Sequence, residues 1–132
     1  MPEFVGPEID PSAIIIRSNE SVSGIEFFTP GFFPQQMGLM SRPSGYVVPR
    51  HKHNLVSREV KLTQEVLLVR KGSFEIEITL ESSEMKTFRL EQGDVILLAK
   101  GEHRIKMLDD CEILEVKQGP YAGPNDKTIT EK

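Results

Sequence analysis

One cysteine, no tryptophan and only three histidines stand in the 132 residues, and these scarcities bound what the chain can be. The lone Cys111 cannot form an internal disulfide, so a disulfide framework is excluded, and its apolar surroundings suit a small buried thiol in a reducing cytoplasm. Long hydrophobic runs are missing too. The longest purely aliphatic stretch, residues 95–99, is far too short to span a bilayer. The N-terminus lacks a basic region followed by an apolar one, so a secretory signal is not expected. The expectation is therefore a soluble, cytoplasmic protein without a membrane partner. Net charge is -4, from 16 basic and 20 acidic residues, and Lys and Arg nowhere gather into the patch that a nucleic acid requires.

A sustained helical period is also absent. What the chain has instead is short extended runs between turn residues, in a length that fits one domain able to bury a core unaided. Residues 1–12, with Pro2, Pro7 and Pro11, read as an N-terminal arm rather than an element. Strands are expected at 13–17, 22–28, 36–42, 46–53, 65–70, 74–80, 87–90, 95–99, 103–108 and 111–117, with 118–132 as a tail. The clearest is 74–80, where Phe74, Ile76, Ile78 and Leu80 alternate with Glu75, Glu77 and Thr79. Residues 54–64 lose periodicity and read as a long connection or ragged hairpin. Many short strands at such spacing indicate an all-β barrel or two-sheet sandwich.

Residues 45–72 hold the chemistry. In an extended segment side chains two apart share a face, so His51 and His53 are placed to grip one ion. Two nitrogens seldom hold a metal alone, and Glu65 and His103 are the candidates to complete the set. Glu65 heads a strand whose same-face neighbours are Leu67 and Val69, and a buried carboxylate is costly unless a partner such as a metal ion offsets it. His103 alternates with Ile105 and Met107 on the inward face. An ordinary alternative stands beside this one: a histidine on an apolar face is more often a hydrogen-bonded core residue, and a glutamate at a strand start is often solvated. Periodicity alone does not choose between them.

The order Gly45, five residues, His51-x-His53, then Glu65, six residues, Gly72 resembles the first motif of the cupin family. Gly93, five residues, Ala99-x-Gly101-x-His103 resembles its second. The likeness covers 45–107. It implies a single-domain cupin β-barrel, the jelly-roll or double-stranded β-helix, holding one divalent transition metal ion through His51, His53, Glu65 and His103. It also implies a homodimer, which would cover the early apolar strand. The chain departs from the motifs in having eleven residues between His53 and Glu65, Ala99 at the proline position and Met107 at the asparagine position. Only one residue separates Gly101 from His103. Because a one-residue slip turns a strand side chain to the other face, Glu102 is the alternative fourth ligand.

Three imidazoles and a carboxylate, with no thiolate, suit Fe, Mn, Ni, Co, Cu or Zn as the divalent ion. The leading functional expectation is a metal-dependent enzyme acting on a small polar substrate such as a sugar derivative, of isomerase or epimerase type. An Fe(II)-dependent dioxygenase and a non-catalytic metal- or ligand-binding module are the alternatives. Tyr46 and Arg58 are the catalytic candidates. Arg58 and Lys61 are placed to hold an anionic substrate at the barrel mouth, or are simply solvated loop charges. Gln64 is a candidate partner for metal-bound water. Tyr121 is a candidate cover for a barrel edge or a partner, and Phe27, Phe28, Phe32 and Phe33 read as core or dimer contacts.

Overall fold

The computed structural model describes residues 1–131 and contains ten strands. They are β1 (Glu3–Val5), β2 (Ala13–Ile16), β3 (Gly24–Phe27), β4 (Gly38–Ser41), β5 (Glu65–Lys71), β6 (Ser73–Thr79), β7 (Met85–Glu91), β8 (Val95–Leu98), β9 (Glu102–Met107) and β10 (Glu112–Lys117). One 3-10 turn, Pro124–Asp126, follows. The chain is all-β. Its strands form a five-stranded sheet ordered β1-β2-β8-β5-β10, a three-stranded sheet ordered β7-β6-β9 and a separate β3-β4 hairpin, none of them closed into a barrel. Among the described residues no helix is long and apolar enough to cross a membrane.

The main core lies between the two larger sheets. Alternation on β6 sends Phe74, Ile76 and Ile78 inward, where they meet Leu67 and Val69 of β5, Ile96 and Leu98 of β8, and Ile15 of β2. The aliphatic runs of β2 and β8 have no polar face because the larger sheet is covered on both sides. On its outer side Ile14, Val66, Leu97 and Ala99 pack under Phe28, Phe33 and Met37 from the segment around the hairpin. Gly72 links β5 to β6 with a φ of +81°, and a side chain there would run into the Asp110 carbonyl and the Cys111 sulfur. Cys111 is half-buried and donates its thiol to the Ser73 carbonyl at 2.9 Å.

Three expectations are corrected. The first residues are not merely an arm, since Glu3–Val5 pairs with β2 through Phe4↔Ile14. That strand and β8 flank β2 in the sheet, so the early apolar strand is covered from within the chain. The third correction concerns 46–53, which forms no strand. Every residue of the 41–63 stretch is exposed, and no strand lies beyond β9 at the rim of the smaller sheet. Pro49 falls in the middle of the run and has no N–H for a ladder, which weakens it as a strand. The hairpin also leaves apolar side chains open, with Ile25, Phe27 and Met40 each about half exposed.

Candidate functional site

Strand β5 begins with a residue of conflicting demands. Glu65 points to the same side as Leu67, yet it stands at the sheet's open end, where its side chain retains only 15% exposure. Strand β9 comes in from the other sheet and sets His103 Nε2 3.1 Å from Glu65 Oε1. The pair bridges the two sheets at the mouth of a cleft of about 440 Å³ whose lining includes Ile105, Glu115, Lys117 and Lys100. On β9, His103, Ile105 and Met107 all line the cleft, whereas Glu102 does not.

Charge in the cleft is unevenly shared. Hydrogen bonding to His103 holds the Glu65 carboxyl down at about 2, against the opposing effect of burial, and a hydrogen bond with Glu115 helps. Glu115 moves the other way, raised first by its hydrogen bond with Glu65 and then by burial. One carboxylate is therefore firmly ionised beside another that keeps its proton longer. Lys100 is fixed at the cleft edge by Asp10 at 2.6 Å and Glu81 at 3.2 Å, and Asp10 foremost holds its pKa up.

His51 and His53 lie elsewhere, on the exposed 41–63 stretch, with ring centroids 5.5 Å apart. The expectation that they face inward from a strand is not met. His51 Nδ1 lies 2.8 Å from the Pro49 carbonyl, and since a carbonyl only accepts, Nδ1 carries the proton and Nε2 is left to bind. The four sequence-derived ligands thus form two pairs. Among the described residues no three His, Cys, Asp or Glu side chains converge so as to hold a metal ion. The donor chemistry nevertheless fits one: two ligand atoms each about 2.1 Å from an ion and at right angles to one another are about 3 Å apart, close to the Glu65–His103 spacing.

The other candidates scatter. Tyr46 is half exposed, with the Arg42 guanidinium 4.5 Å over its ring, and neither lines the cleft. Arg58 and Lys61 also lie away from it, and Tyr121 is largely exposed. Gln64 is fully buried and accepts from the Gln35 amide at 3.3 Å. Phe33 is core as expected, Phe28 packs against it in part, and Phe27 and Phe32 are exposed. Among the cleft residues with no counterpart among the sequence candidates are Glu115 and Lys117. Their signal was the interruption of the face that begins with Ile113.

The carboxyl pair gives a pH dependence. Glu65 titrates lower in the folded chain than its ordinary 4.5, so its contribution to stability is complete above that value and is lost as pH falls toward 2. Glu115, raised, works in the opposite sense and takes up a proton early as the pH drops. Chelator-treated protein is expected to lose about 1–2 kcal/mol through this pair between pH 5 and 2, measured by urea unfolding, and Glu65→Gln should flatten that part of the profile. An unchanged slope in the variant would refute the assignment.

Comparison with protein-family models, with curated proteins and with solved structures yields no match.

Proposed function

We propose that this chain is a small single-domain cupin that binds one divalent transition metal ion and acts on a small polar ligand in the cleft between its sheets. The observation that carries the reading is the meeting of Glu65 and His103, 38 positions apart in the sequence, at 3.1 Å in the cleft. In this reading they are the ready half of the ligand set and His51 and His53 are the other half. The open outer edge of β9, the strand that carries His103, is where residues 46–53 would have to settle for the halves to meet.

A bound ion would polarise an oxygen of the ligand and lower the pKa of bound water. The chain's own residues supply the rest. Lys100 and Lys117 offer donors to hydroxyl or carboxylate groups, and Glu115, which lines the cleft beside Glu65, is a carboxyl placed to give or take a proton. Such a group suits proton transfer, which favours an isomerase or epimerase acting on a sugar derivative. The homodimer remains part of the same proposal, supported by the apolar side chains left open on β3 and β4.

Elemental analysis and calorimetric titration with Zn(II) and Mn(II) test it. About one equivalent is expected for the unmodified chain, with binding weakened roughly 100-fold in His103→Ala and in a His51→Ala/His53→Ala double variant. Full affinity in His103→Ala removes that residue from the ligand set, and no binding by the unmodified chain removes the metal altogether.

A further inference from the structure

The alternation that sends Glu65 and Lys117 into one cleft sends their neighbours Gln64 and Gln118 to the opposite side of the sheet. There the Gln118 N–H bonds to the Gln64 carbonyl at 2.9 Å, extending the β5-β10 ladder beneath the outer apolar layer. Beside them opens a second and larger cleft of about 940 Å³. One wall is residues 31–34 with Gln36, the other is 58–62, and Gln118 lines it between them.

The first wall is firmly built. Gln36 Nε2 donates to the carbonyls of Pro30 and Phe33 at 2.9 and 3.0 Å, and Thr29 Oγ1 donates to Gln36 Oε1 at 2.9 Å. This holds Phe33 in the outer core and presents Phe32, 68% exposed and edge-on to Phe33, to the cleft. The second wall carries Arg58 and Lys61. Glu59 lies 3.6 Å from Lys61, so the three charges leave one net positive, and Arg58 is in no ion pair among the described residues.

Unpartnered polar atoms collect around Gln118. Gln64 Nε2, Gln35 Oε1 and Gln118 Oε1 are the buried side-chain N and O atoms without a hydrogen-bond partner among the described residues. All three glutamines are linked, since Gln35 N bonds to the Gln64 side chain and Gln118 N to its backbone. Of the three, Gln118 lines the cleft, so the N–H of a ligand amide is a fitting partner for its orphan acceptor Oε1.

We infer that this second cleft binds a small organic monoanion: a carboxylate with an apolar or aromatic body and an amide, as in an N-acylated amino acid. Arg58 and Lys61 hold the carboxylate, with net charge matched to one negative charge rather than to a phosphate dianion. Phe32 and Leu62 pack the apolar body, and Gln118 meets the amide. Arg58 and Lys61 are thus anion-binding residues of a site on the other side of the sheet from Glu65 and His103. The site does not depend on the metal reading.

The test is an NMR titration of the full chain, with chelator present, using N-acetyl-L-phenylalanine as probe. Saturable shifts are expected at the amides of residues 31–33, 36, 58–62 and 118, and not at 65 or 103. N-acetyl-L-phenylalaninamide, which lacks the charge, should bind roughly tenfold more weakly, as should the probe to an Arg58→Gln/Lys61→Gln variant. Both substituted residues are exposed, so the variant's unperturbed spectrum serves as the folding control. 3-Phenylpropionate, without the acetamido group, should bind several-fold more weakly. Absence of saturable shifts up to about 20 mM probe, shifts centred on Glu65 instead, or equal affinity in the double variant overturns the site. Equal affinity for 3-phenylpropionate overturns the role given to Gln118.

Discussion

Phe74→Ala is expected to lower the stability of the chain by about 3–5 kcal/mol, seen as an earlier urea midpoint with little change in slope. Phe74 is fully buried and stands at the start of β6, opposite Leu90 of β7 and Met107 of β9. From there it enters the core shared with β5 and β8. Removing its ring deletes apolar contacts with both sheets and leaves a void that strands hydrogen-bonded on both edges are poorly able to fill. Domains of this size hold about 5–15 kcal/mol in all, so the variant should be close to the limit of folding at 37 °C. Phe74→Leu, which keeps much of the volume, should cost about 1–2 kcal/mol. A loss below about 1 kcal/mol in the alanine variant would show that the two sheets are not held through this residue.

Asp94→Ala is expected to cost about 2–4 kcal/mol by a different route. The carboxylate is 5% exposed and holds the β7-β8 turn to the end of β2. Its Oδ1 accepts from the Ser18 amide at 2.8 Å, while Oδ2 accepts from the Glu91 amide at 2.8 Å and from Arg17 at 3.2 Å. Alanine removes all three acceptances and leaves two backbone donors bare. Arg17 keeps its bond to Glu3 at 2.6 Å, so the guanidinium is not stranded. Asparagine retains one acceptor oxygen and should fall between the two. Denaturant unfolding of both variants decides the matter, and equal stability of alanine and wild type would mean that water replaces the carboxylate at no cost.

The parts of the fold legible in the sequence are those in which side-chain alternation and burial agree. The alternation of Phe74, Ile76 and Ile78 against Glu75 and Glu77 is that of a strand with one dry face, and the aliphatic runs at 13–16 and 95–98 are those of strands covered on both faces. Glu65 stood out because a carboxylate interrupted an aliphatic face, and it lies beside His103. Residues 46–53 failed the same test. Their pattern is extended, but whether a strand forms depends on an edge to pair with, which no local pattern encodes, and Pro49 removes a donor from the run. The second cleft was hidden for a related reason: Arg58 and Lys61 come before Glu65 in sequence, while one step along the strand reverses the face that their neighbours reach.

The order of strands in the larger sheet bears on how the chain becomes folded during its synthesis. Strand β2 pairs with β8, and β5 pairs with both β8 and β10, so early strands wait for partners made much later. The hairpin of β6 and β7 can form from neighbouring residues alone, but β9 must return to β6 before the smaller sheet is complete. Until residues 112–117 leave the ribosome, β5 has an unpaired edge and the aliphatic residues of β2 have no complete sheet to hide in. Pairings across such spans close slowly. The nascent chain therefore carries its stickiest segments in the open until β8 and β10 emerge, the interval in which a chaperone would have something to hold.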